Sequence, residues 1–368
     1  MKIFFSLIIL IHGLIHLMGF VKAFHLANIE QLPQSITKPV GLLWLLTTIL
    51  FLLALLFFLT DKEFWWWFGL TAVVFSQALI VMSWTDAKAG TIANVLILIP
   101  VLIAFLNTRP DSFKNIFETT VKEQLTSRLV SENLSQEDLV NLPVTIQQYL
   151  RFVGAVGKPK IHHFKATLTV KMKTKMNGKW LKIEACQYNF YDPPSRAFYI
   201  KSSMFGIPFD GLHIYQGNEA TMKIKLASLF LVANAKGEKM TQGETVTLFN
   251  DMCLFAPSTL IDKNIQWRVI DSLTTEATFT NAGHTIKARL FFNESGALTN
   301  FSSDDRYESS DGKTYNNYRW TTPVKEYREI DGRKIPTFGE AIWHTPNGPF
   351  VYANFDIGEV EYNGEIFE

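Results

Sequence analysis

FKATLTVKMKTKMNGKWLKIEA, residues Phe164–Ala185, carries the clearest structural signal in this 368-residue sequence. Apolar residues alternate with polar ones on both sides of Asn177-Gly178, which is the period of a half-buried strand. Asn-Gly between two alternating segments is the strongest short-range signal for a β-hairpin. A two-residue turn there pairs Met172 with Ile183 and places the apolar side chains of both strands on one face. The segment therefore predicts an antiparallel hairpin with one buried face.

The same alternation and turn chemistry recur through the chain as far as Tyr362. About ten alternating segments, mostly separated by turns of the hairpin type, indicate one large antiparallel sheet. A sheet of that size tends to curl or close, because its edges and its apolar face must be covered. The turn signals are Gly217-Asn218, Ala282-Gly283, Ser295-Gly296, Asp311-Gly312, Asp331-Gly332 and Asn347-Gly348.

One helix interrupts the predicted sheet at about residues 242–255, and Pro257 follows its end. Val246, Phe249 and Met252 form an apolar face at helical spacing. A single amphipathic helix inserted in a long series of strands must bury that face against the sheet. We therefore expect this helix to cover the concave side of a curved sheet.

Charge divides the chain into two parts. Residues 1–107 hold only nine of the 69 Asp, Glu, Lys and Arg residues, about 8% of their positions, against about 23% from residue 108 onward. The first part is too apolar for a soluble domain, and the second has an ordinary globular composition. The net charge of +1 argues against a nucleic-acid-binding protein. Two cysteines argue against a disulfide scaffold and against an all-cysteine zinc site.

Four apolar runs in the first part each approach the ~20 residues that a helix needs to cross the hydrocarbon core. They predict a multipass protein of the cell membrane, and the first run is interpreted as a retained span because three more follow it. The Lys and Arg residues that flank the runs favour a cytoplasmic location for the C-terminal part. The runs are Ile3–Val21, Val40–Leu59, Phe64–Trp84 and Gly90–Asn107.

His12 and His16 are four residues apart and share one face of the first predicted span. Ionisable groups inside a membrane suggest a metal, haem or proton site. The simpler interpretation is that neutral imidazoles hydrogen-bond to neighbouring helices. No other histidine falls within a span, so we expect no metal site and no cofactor.

These patterns predict three parts: a four-helix transmembrane anchor at 1–107, a helical connector at 108–157 and an antiparallel β domain at 158–368. The connector has apolar residues at helical spacing from Phe113 to Leu129. The predicted fold class is an α+β membrane protein. In it, four transmembrane helices precede a large, curved, half-barrel-like antiparallel β-sheet with one inserted helix.

The run Ser-Asp-Asp-Arg-Tyr is the densest polar cluster on a predicted strand. Alternation sends Asp304 and Arg306 to one face and Asp305 to the other. Arg319 and Glu340 lie on neighbouring predicted strands. These residues form either a ligand-binding or acid–base site, or an internal ion pair that ties adjacent strands together.

Glu244 and Asp251 lie on one face of the predicted helix, which is compatible with a paired-carboxylate site. Thr241 stands three residues before Glu244, and the simpler explanation is a capping box at the helix start. The scattered histidines lack metal-ligand spacing, and the sequence has no Gly-x-Ser-x-Gly, Walker or dinucleotide-binding motif. Hydrolase, nucleotide-dependent and redox functions therefore lose their usual support.

Six short blocks of the second part form a recognisable set. They are Asp192–Tyr199 (DPPSRAFY), Glu244–Cys253 (ETVTLFNDMC), Ala256-Pro257, Asp304–Tyr307 (DDRY), Arg319-Trp320 with Pro323, and Gly339–Trp343 (GEAIW). The set resembles an uncharacterised bacterial family, a domain of unknown function that often follows a short set of membrane spans. The resemblance covers roughly residues 140–363 and implies no established activity. By analogy only, the architecture is also similar to the half-barrel lipoprotein carriers that hold acyl chains.

The sequence favours a multipass membrane protein whose tethered β domain binds a hydrophobic ligand or a lipid. Its expected partners are the lipid bilayer and a lipid or hydrophobic small molecule, not a nucleic acid. Apolar residues of the concave face would contact the ligand, and polar residues at the mouth would anchor it. The apolar candidates are Leu168, Val170, Met172, Ile183 and Ile224, and the polar candidates are Asp304, Arg306, Arg319 and Glu340.

Two other functions stay open at this stage. The first is a structural or assembly module of the cell envelope. The second is an enzyme acting on a membrane-associated substrate through the segment Asp304–Arg306 together with Glu340, in a cleft with convergent carboxylates. The absence of catalytic motifs in the sequence favours a role other than catalysis.

Overall fold

The computed structural model describes residues 2–125, 132–204, 207–309 and 312–364. The chain forms two compact units, Met1–Ser112 and Phe113–Glu368. Apolar helices build the first unit and an antiparallel sheet dominates the second, which confirms the predicted α+β class. Leu129 of the predicted connector helix and Asp311 of a predicted turn lie outside the described residues.

The first unit is a set of apolar helices. Four segments are long and apolar enough, by length and composition, to cross a membrane, which confirms the predicted number of such helices. The first of these segments comprises two helices, α1 and α2. The helices are α1 Lys2–Ile15, α2 Leu17–Ala23, α3 Lys38–Leu59, α4 Trp65–Met82, α5 Trp84–Ala87 and α6 Gly90–Asn107.

The break between α1 and α2 falls at His16. The Nδ1 of His16 donates to the carbonyl oxygen of His12 at 2.8 Å. The backbone N–H of His16 bonds to the carbonyl oxygen of Gly13 at 3.2 Å, three residues back rather than four. The side chain of His16 thus occupies the carbonyl oxygen of His12, which would accept the backbone N–H of His16 in a regular α-helix. The helix therefore tightens at His16, where the backbone bond goes three residues back.

Strands dominate the described residues of the second unit, together with three α-helices and two short 3-10 turns at Glu137–Leu139 and Pro257–Ile261. The helices are α7 Phe113–Leu125, α8 Val144–Phe152 and α9 Glu238–Leu254. The first strands are β1 His163–Met172, β2 Leu181–Tyr191, β3 Pro194–Met204, β4 Ile207–Gln216, β5 Glu219–Leu226 and β6 Phe230–Lys236. The next are β7 Ile265–Val269, β8 Thr274–Asn281, β9 His284–Phe292, β10 Leu298–Ser303 and β11 Tyr307–Glu308. The last are β12 Asn316–Asn317, β13 Arg319–Thr321, β14 Val324–Ile330, β15 Arg333–Thr345 and β16 Gly348–Tyr362.

Fourteen of the strands in the described residues form one antiparallel sheet, which confirms the predicted architecture. Its order is β6-β5-β4-β3-β2-β1-β16-β15-β13-β10-β9-β8-β7, with β14 paired to β15, while β11 and β12 form a separate ribbon. The chain makes two meanders, β1–β6 and β7–β16, which join where β1 pairs with β16. The predicted number of about ten strands is too low, and three of the additional strands, β11, β12 and β13, have only two or three residues, too few for alternation to be recognised. The sheet stays open, with β6 and β7 as its edges.

The hairpin β1–β2 forms, but its register differs from the predicted one. Met172 pairs with Leu181, where the predicted two-residue turn places Ile183. The connection is a loop over residues 173–180, and its first backbone N–H bonds to Tyr352 of β16 instead of closing a tight turn. Since the register changes by two residues, every side chain keeps the face predicted for it.

Helix α9 connects the two edges of the sheet and lies on its inner face. It packs on β5 and β6 near one edge and on β9 near the other. Strands β5 and β9 are nine strand spacings apart, about 43 Å along a flat sheet. A helix of 17 residues is only about 25 Å long. The sheet must therefore curve around α9.

The start of α9 corrects one sequence interpretation. The helix begins at Glu238, because Gly237 turns the chain out of β6 with a φ of 95°, a conformation that favours glycine. Thr241 lies inside the first turn, where its Oγ1 donates to the carbonyl oxygen of Gly237 and accepts the backbone N–H of Ala220. The capping box of Thr241 and Glu244 is therefore wrong, and Glu244 lies in the helix interior.

Helices cover part of each face of the sheet. On the inner face, the ring of Phe249 in α9 packs 5.1 Å from that of Phe279 and 5.9 Å from that of Phe301. On the outer face, the ring of Phe117 in α7 packs 5.6 Å from that of Tyr199. The large sheet thus buries apolar surface on both sides, which a single-layer sheet cannot do alone.

Replacing Phe249 by alanine tests whether α9 holds the sheet together. Phe249 is 0% exposed, so Phe249→Ala leaves a cavity and should lower the free energy of unfolding by about 3–5 kcal/mol. Urea unfolding of the detergent-purified chain, followed by the β-sheet signal in circular dichroism, measures this loss. Phe230→Ala is the matched control, since that side chain is 61% exposed. Equal losses in the two variants would contradict the assigned role of α9.

Candidate functional site

A buried cluster of charged side chains lies between α9 and the inner face of the sheet. The guanidinium of Arg196 in β3 binds two carboxylates of α9. Its Nε donates to Asp251 Oδ2 at 2.9 Å and its Nη1 donates to Glu244 Oε2 at 3.1 Å. All three side chains are buried. We call the following residues the polar centre: Arg196, His213, Glu244, Asp251 and Arg306.

Two amides of β2 complete the surroundings of Asp251. Gln187 Nε2 and Asn189 Nδ2 donate to Asp251 Oδ2 at 2.7 and 3.0 Å. Gln187 Oε1 also accepts from Arg196 Nη2 at 3.3 Å. The two amides are two residues apart on one strand, so they share the inner face. The buried charges are thus hydrogen-bonded from several sides, as the burial of ions requires.

Two further groups approach Glu244 from other strands and loops. The Nδ1 of His213 in β4 lies 3.8 Å from Glu244 Oε1, and Arg306 Nη2 lies 3.9 Å from the same oxygen. Both distances are too long for a hydrogen bond. Within the part of the chain that the structure describes, His213 Nδ1 is buried and has no hydrogen-bond partner. Glu244 Oε1 therefore has two basic groups within 4 Å and a hydrogen bond from neither of them.

Aromatic side chains hold Arg306 in place. Its guanidinium carbon lies 4.3 Å from the ring centre of Trp320 and 5.4 Å from that of Trp343. Its Nη1 donates at 3.0 Å to the hydroxyl of Tyr352, which also accepts from Trp320 Nε1 at 3.1 Å. Because cation–π contacts orient a guanidinium without neutralising it, Arg306 keeps its positive charge beside Glu244.

The two carboxylates of α9 share one arginine, yet their pKa values move in opposite directions. Burial would raise the pKa of Glu244, but Arg196, His213 and Arg306 outweigh it and lower that pKa to about 2. Burial raises the pKa of Asp251, because Arg196 and the neighbouring amide only partly offset the loss of solvent. Glu244 is therefore the firmly ionised member of the pair.

An apolar row runs from the polar centre along β4 and β5, towards the end of these strands at which Phe209 pairs with Leu226. Across β4 and β5, His213 pairs with Met222 and Phe209 pairs with Leu226, with Ile224 between them on β5. These residues share the inner face, since their positions differ by two along each strand. The apolar side chains are only half-buried. We call them the inner apolar row: Phe209, Met222, Ile224 and Leu226.

Three of the five apolar residues predicted to contact a ligand belong to the core. Leu168, Val170 and Ile183 are buried in the same cluster as the side chains of α9. Met172 packs against this cluster while partly exposed, and Ile224 belongs to the inner apolar row. The centre of the inner face is thus filled, and its half-exposed apolar surface lies on β4 and β5.

The four predicted polar anchors lie in three different places. Asp304 and Arg319 form a bidentate ion pair at 2.9 and 3.1 Å, with both side chains exposed. The hydrogen bonds from Arg319 lower the pKa of Asp304. Arg306 lies in the polar centre, and Glu340 lies on β15 between the buried residues of the inner face, directed to the outer face. Asp305 accepts a backbone N–H of β9 at 2.6 Å.

The two histidines of the first predicted span, His12 and His16, are buried. His12 Nε2 lies 2.9 Å from Asn94 Oδ1 and 3.2 Å from Ser76 Oγ. His12 thus links α1 to α4 and α6. Among the described residues, no group of three or more His, Cys, Asp or Glu side chains is placed to hold a metal ion.

Two open depressions lie away from the polar centre. One, of about 490 Å³, is on the outer face of the sheet and is lined in part by Thr167, Cys186 and Tyr199. The other, of about 320 Å³, is an apolar groove of the first unit between Ile11 and Ala93. The first lies on the opposite side of the sheet from Arg196, so it is not continuous with the polar centre.

The sequence of the second unit matches a known family. Residues 132–355 match the family of unknown function DUF6544. The chain belongs to this family. The match overlaps residues 140–363, over which the sequence blocks resemble an uncharacterised bacterial family, and it confirms that resemblance. A comparison with curated proteins gave no match.

Solved structures resemble this DUF6544 chain at low identity. A DUF1329 family protein from Desulfovibrio piger has a TM-score of 0.36 and 12% identity, over 61% of this chain and 93% of that one. A LolA superfamily protein from Nitrosomonas europaea has a TM-score of 0.30 and 11% identity, over 60% of this chain and 94% of that one. Neither likeness bears on function at these identities.

Blocks that are far apart in the sequence meet at the polar centre. DPPSRAFY contributes Arg196, ETVTLFNDMC contributes Glu244 and Asp251, and DDRY contributes Arg306. The tryptophans that flank Arg306 come from two further blocks, RW and GEAIW. Five of the six segments that carry the family resemblance therefore contribute to this site.

Sequence reasoning missed two members of the polar centre. It named Glu244 and Asp251 as a pair but did not connect them to Arg196, and it left His213 unassigned. One signal was available: an arginine on the apolar-patterned strand β3 and two acids on an apolar helix each need a buried partner of opposite charge. Their meeting depends on the curvature of the sheet, which no local pattern encodes.

Replacing Glu244 by glutamine tests the ion pairs through their pH dependence. The folded pKa of about 2 lies below the ordinary value of 4.5, so Glu244 stabilises the fold fully above pH 4.5, and this stabilisation is lost as the pH falls towards 2. Glu244→Gln should cost about 3 kcal/mol at neutral pH and progressively less in that acidic window. Urea unfolding at several pH values measures the difference, with exposed Glu219→Gln as the control. A loss that is independent of pH would exclude this electrostatic origin.

Replacing Arg196 by methionine tests the cost of unpaired buried carboxylates. Arg196→Met keeps the aliphatic bulk but removes the charge, so it should destabilise the fold by about 3–5 kcal/mol. The triple variant Arg196→Met, Glu244→Gln and Asp251→Asn removes all three charges and should recover most of that loss. Unfolding free energies of both variants under one condition provide the measurement. A triple variant less stable than the single one would show that hydrogen bonding, not charge, holds the cluster.

Proposed function

We propose that this chain is a membrane-anchored protein whose β unit binds a hydrophobic ligand, either a lipid or an apolar small molecule. Its four long apolar helices would span the bilayer. The observation that carries the proposal is the inner apolar row, which stays half-exposed on a curved sheet and ends at a polar cluster. An apolar concave surface with a few convergent polar groups is the usual form of a ligand site.

The polar centre would bind the polar end of such a ligand. Beside Glu244 Oε1 lie Arg306 on one side and, on the other, His213 Nδ1, which has no hydrogen-bond partner among the described residues. An oxygen atom placed there would accept a hydrogen bond from Arg306 Nη2 and approach His213. Since Arg196 is shared by Glu244 and Asp251, this position favours a neutral hydroxyl, which can donate to Glu244 Oε1 while it accepts from Arg306.

The carboxylates of the β unit favour binding over catalysis. Glu244 and Asp251 both bind Arg196, Asp304 binds an arginine of β13, and Asp305 accepts a backbone N–H. A general acid or base must exchange its proton with a substrate. Because each of these acids is engaged in a structural interaction, the enzymatic alternative has less support than ligand binding.

We also propose that the β unit faces the cytoplasm. If the four helices span the bilayer, an even number of spans puts Lys2 and Arg109 on the same side. That side carries five Lys or Arg residues near the helix ends and the other side carries three, a bias that favours the cytoplasm for the first group. The five are Lys2, Lys62, Arg109, Lys114 and Lys122, and the three are Lys22, Lys38 and Lys88.

A photoreactive palmitate analogue tests ligand binding on the full-length chain. We expect photolabelling of the detergent-purified protein on peptides of β4 and β5, located by mass spectrometry. Ile224→Asp places a charge in the inner apolar row and should reduce that labelling at least tenfold, because an acyl chain would have to bury against a carboxylate. Thr221→Asp is the matched control, since it places the same charge on the opposite face of β5.

The labelling pattern decides between the candidate functions. Label confined to the apolar helices would place any lipid in the first unit and contradict a ligand site on the sheet. Equal labelling of the Ile224→Asp and Thr221→Asp variants would also contradict a ligand site on the sheet. If neither unit is labelled above background, the assembly-module alternative gains support.

A further inference from the structure

We propose that one end of the β-sheet docks on the surface of an anionic lipid bilayer. This surface, which we call the docking end, is formed by neighbouring hairpin connections and the strand ends beside them. It comprises residues 171–184, 201–204, 207–210, 223–232 and 343–353. The docking end includes Phe209, Ile224 and Leu226 of the inner apolar row, and the proposal rests on the proposed function only in that a membrane is present.

The topology brings these segments to the same end of the sheet. The connections β1–β2, β3–β4 and β5–β6 join consecutive antiparallel strands, so they alternate with the connections of the other end. The turn between β15 and β16 joins them, because β16 runs antiparallel to β1 and Ala353 pairs with Met172. The ammonium of Lys173 lies 4.7 Å from the ring centre of Trp180 and 5.7 Å from that of Phe350. Eight adjacent strands thus present their ends side by side.

Large apolar side chains are exposed along this end, between 37% and 61% of their surface. The connection after β5 and the start of β6 contribute four consecutive ones, which is unusual for a soluble surface. A tryptophan is among them, and tryptophan prefers the boundary between the hydrocarbon and the headgroups. The exposed side chains are Met176, Trp180, Met204, Ile207, Leu229, Phe230, Leu231 and Val232.

The same end is strongly basic. It carries eight lysines and two acidic residues, a net charge of +6 in a chain whose total is +1, so the rest of the chain sums to −5. One of the two acids, Asp210, is buried and accepts hydrogen bonds from Tyr199 and Ser228. The lysines are Lys171, Lys173, Lys175, Lys179, Lys182, Lys201, Lys223 and Lys225.

Exposed apolar side chains surrounded by lysines fit the surface of a lipid bilayer better than they fit a protein partner. Lysine is depleted in protein–protein interfaces, whose buried centres exclude it. At an anionic membrane the two features act together, because apolar side chains enter the headgroup region while lysines bind the phosphates around them. The docking end therefore fits a lipid surface that carries negative charge.

Spin labelling of the full-length chain in lipid vesicles tests this proposal. A nitroxide is attached to Phe230→Cys in a chain that also carries Cys186→Ala, while Cys253 is buried and stays unlabelled. In vesicles of phosphatidylcholine with phosphatidylglycerol, we expect the label to become several-fold more accessible to oxygen than to a water-soluble nickel chelate. A label on Asn218→Cys, at the opposite end of the sheet, is the control and should stay accessible to the chelate.

Neutralising lysines tests the electrostatic part. Lys173→Gln, Lys175→Gln and Lys179→Gln should each weaken docking roughly fivefold, so the triple variant should return the Phe230 label to water. The matched control replaces Lys263, Lys287 and Lys334 by glutamine. These lysines lie outside the docking end, so the accessibility of the label at position 230 should not change. Full docking in vesicles of phosphatidylcholine alone would overturn the electrostatic part of the proposal.

Two other results of the spin-label experiment would overturn the proposal of a docking end itself. A Phe230 label that stays accessible to the nickel chelate in anionic vesicles excludes insertion. A label shielded from both reagents already in detergent shows that protein covers this surface. Resistance of the chain to alkaline extraction tests separately whether the four apolar helices span the bilayer. A failure of the proposed membrane anchor is therefore distinguishable from a failure of docking.

Discussion

The guanidinium of Arg196 joins helix α9 to the sheet, and the arrangement of the β unit depends on this contact. Glu244 and Asp251 are seven residues apart, which places them two turns apart on one side of the helix. Sliding α9 by one turn would leave a buried carboxylate without its cation, at a cost of several kcal/mol. The ion pairs therefore set how far along the sheet the helix lies. That position leaves β4 and β5 half-covered, and the inner apolar row is the result.

The length of α9 determines the curvature of the sheet. Helix α9 has to connect the two edges of an open sheet, and it is much shorter than the flat sheet is wide. The sheet can meet both demands only by bending around the helix, which brings β3, β4 and the loop with Arg306 towards one another. The polar centre thus arises from long-range geometry. Its members come from strands and loops that are up to 110 positions apart, from Arg196 to Arg306.

Local patterns predicted the elements of this fold better than their connections. Alternation in β1 and β2 fixed which side chains point inward, and this holds although the pairing differs by two residues from that of a tight Asn177-Gly178 turn. The helix start was misplaced, because Thr241 has the spacing of a cap but lies one turn inside the helix. The partner of Glu244 could not be read from any local pattern, since it lies on a strand 48 positions away. The charge content changes near residue 108, close to the boundary of the two units at Ser112 and Phe113, and this change is visible without any knowledge of pairing.

The position of β16 has a consequence for the order of assembly. This strand is the last in sequence, yet it lies in the middle of the sheet, between β1 and β15. During synthesis the two meanders can each form hairpins early, but their junction must wait until residues 348–362 have been made. Until then β1 exposes an unpaired backbone edge, which is a site for aberrant strand pairing. A nascent chain stalled before β16 would therefore be a candidate substrate for chaperones that shield strand edges.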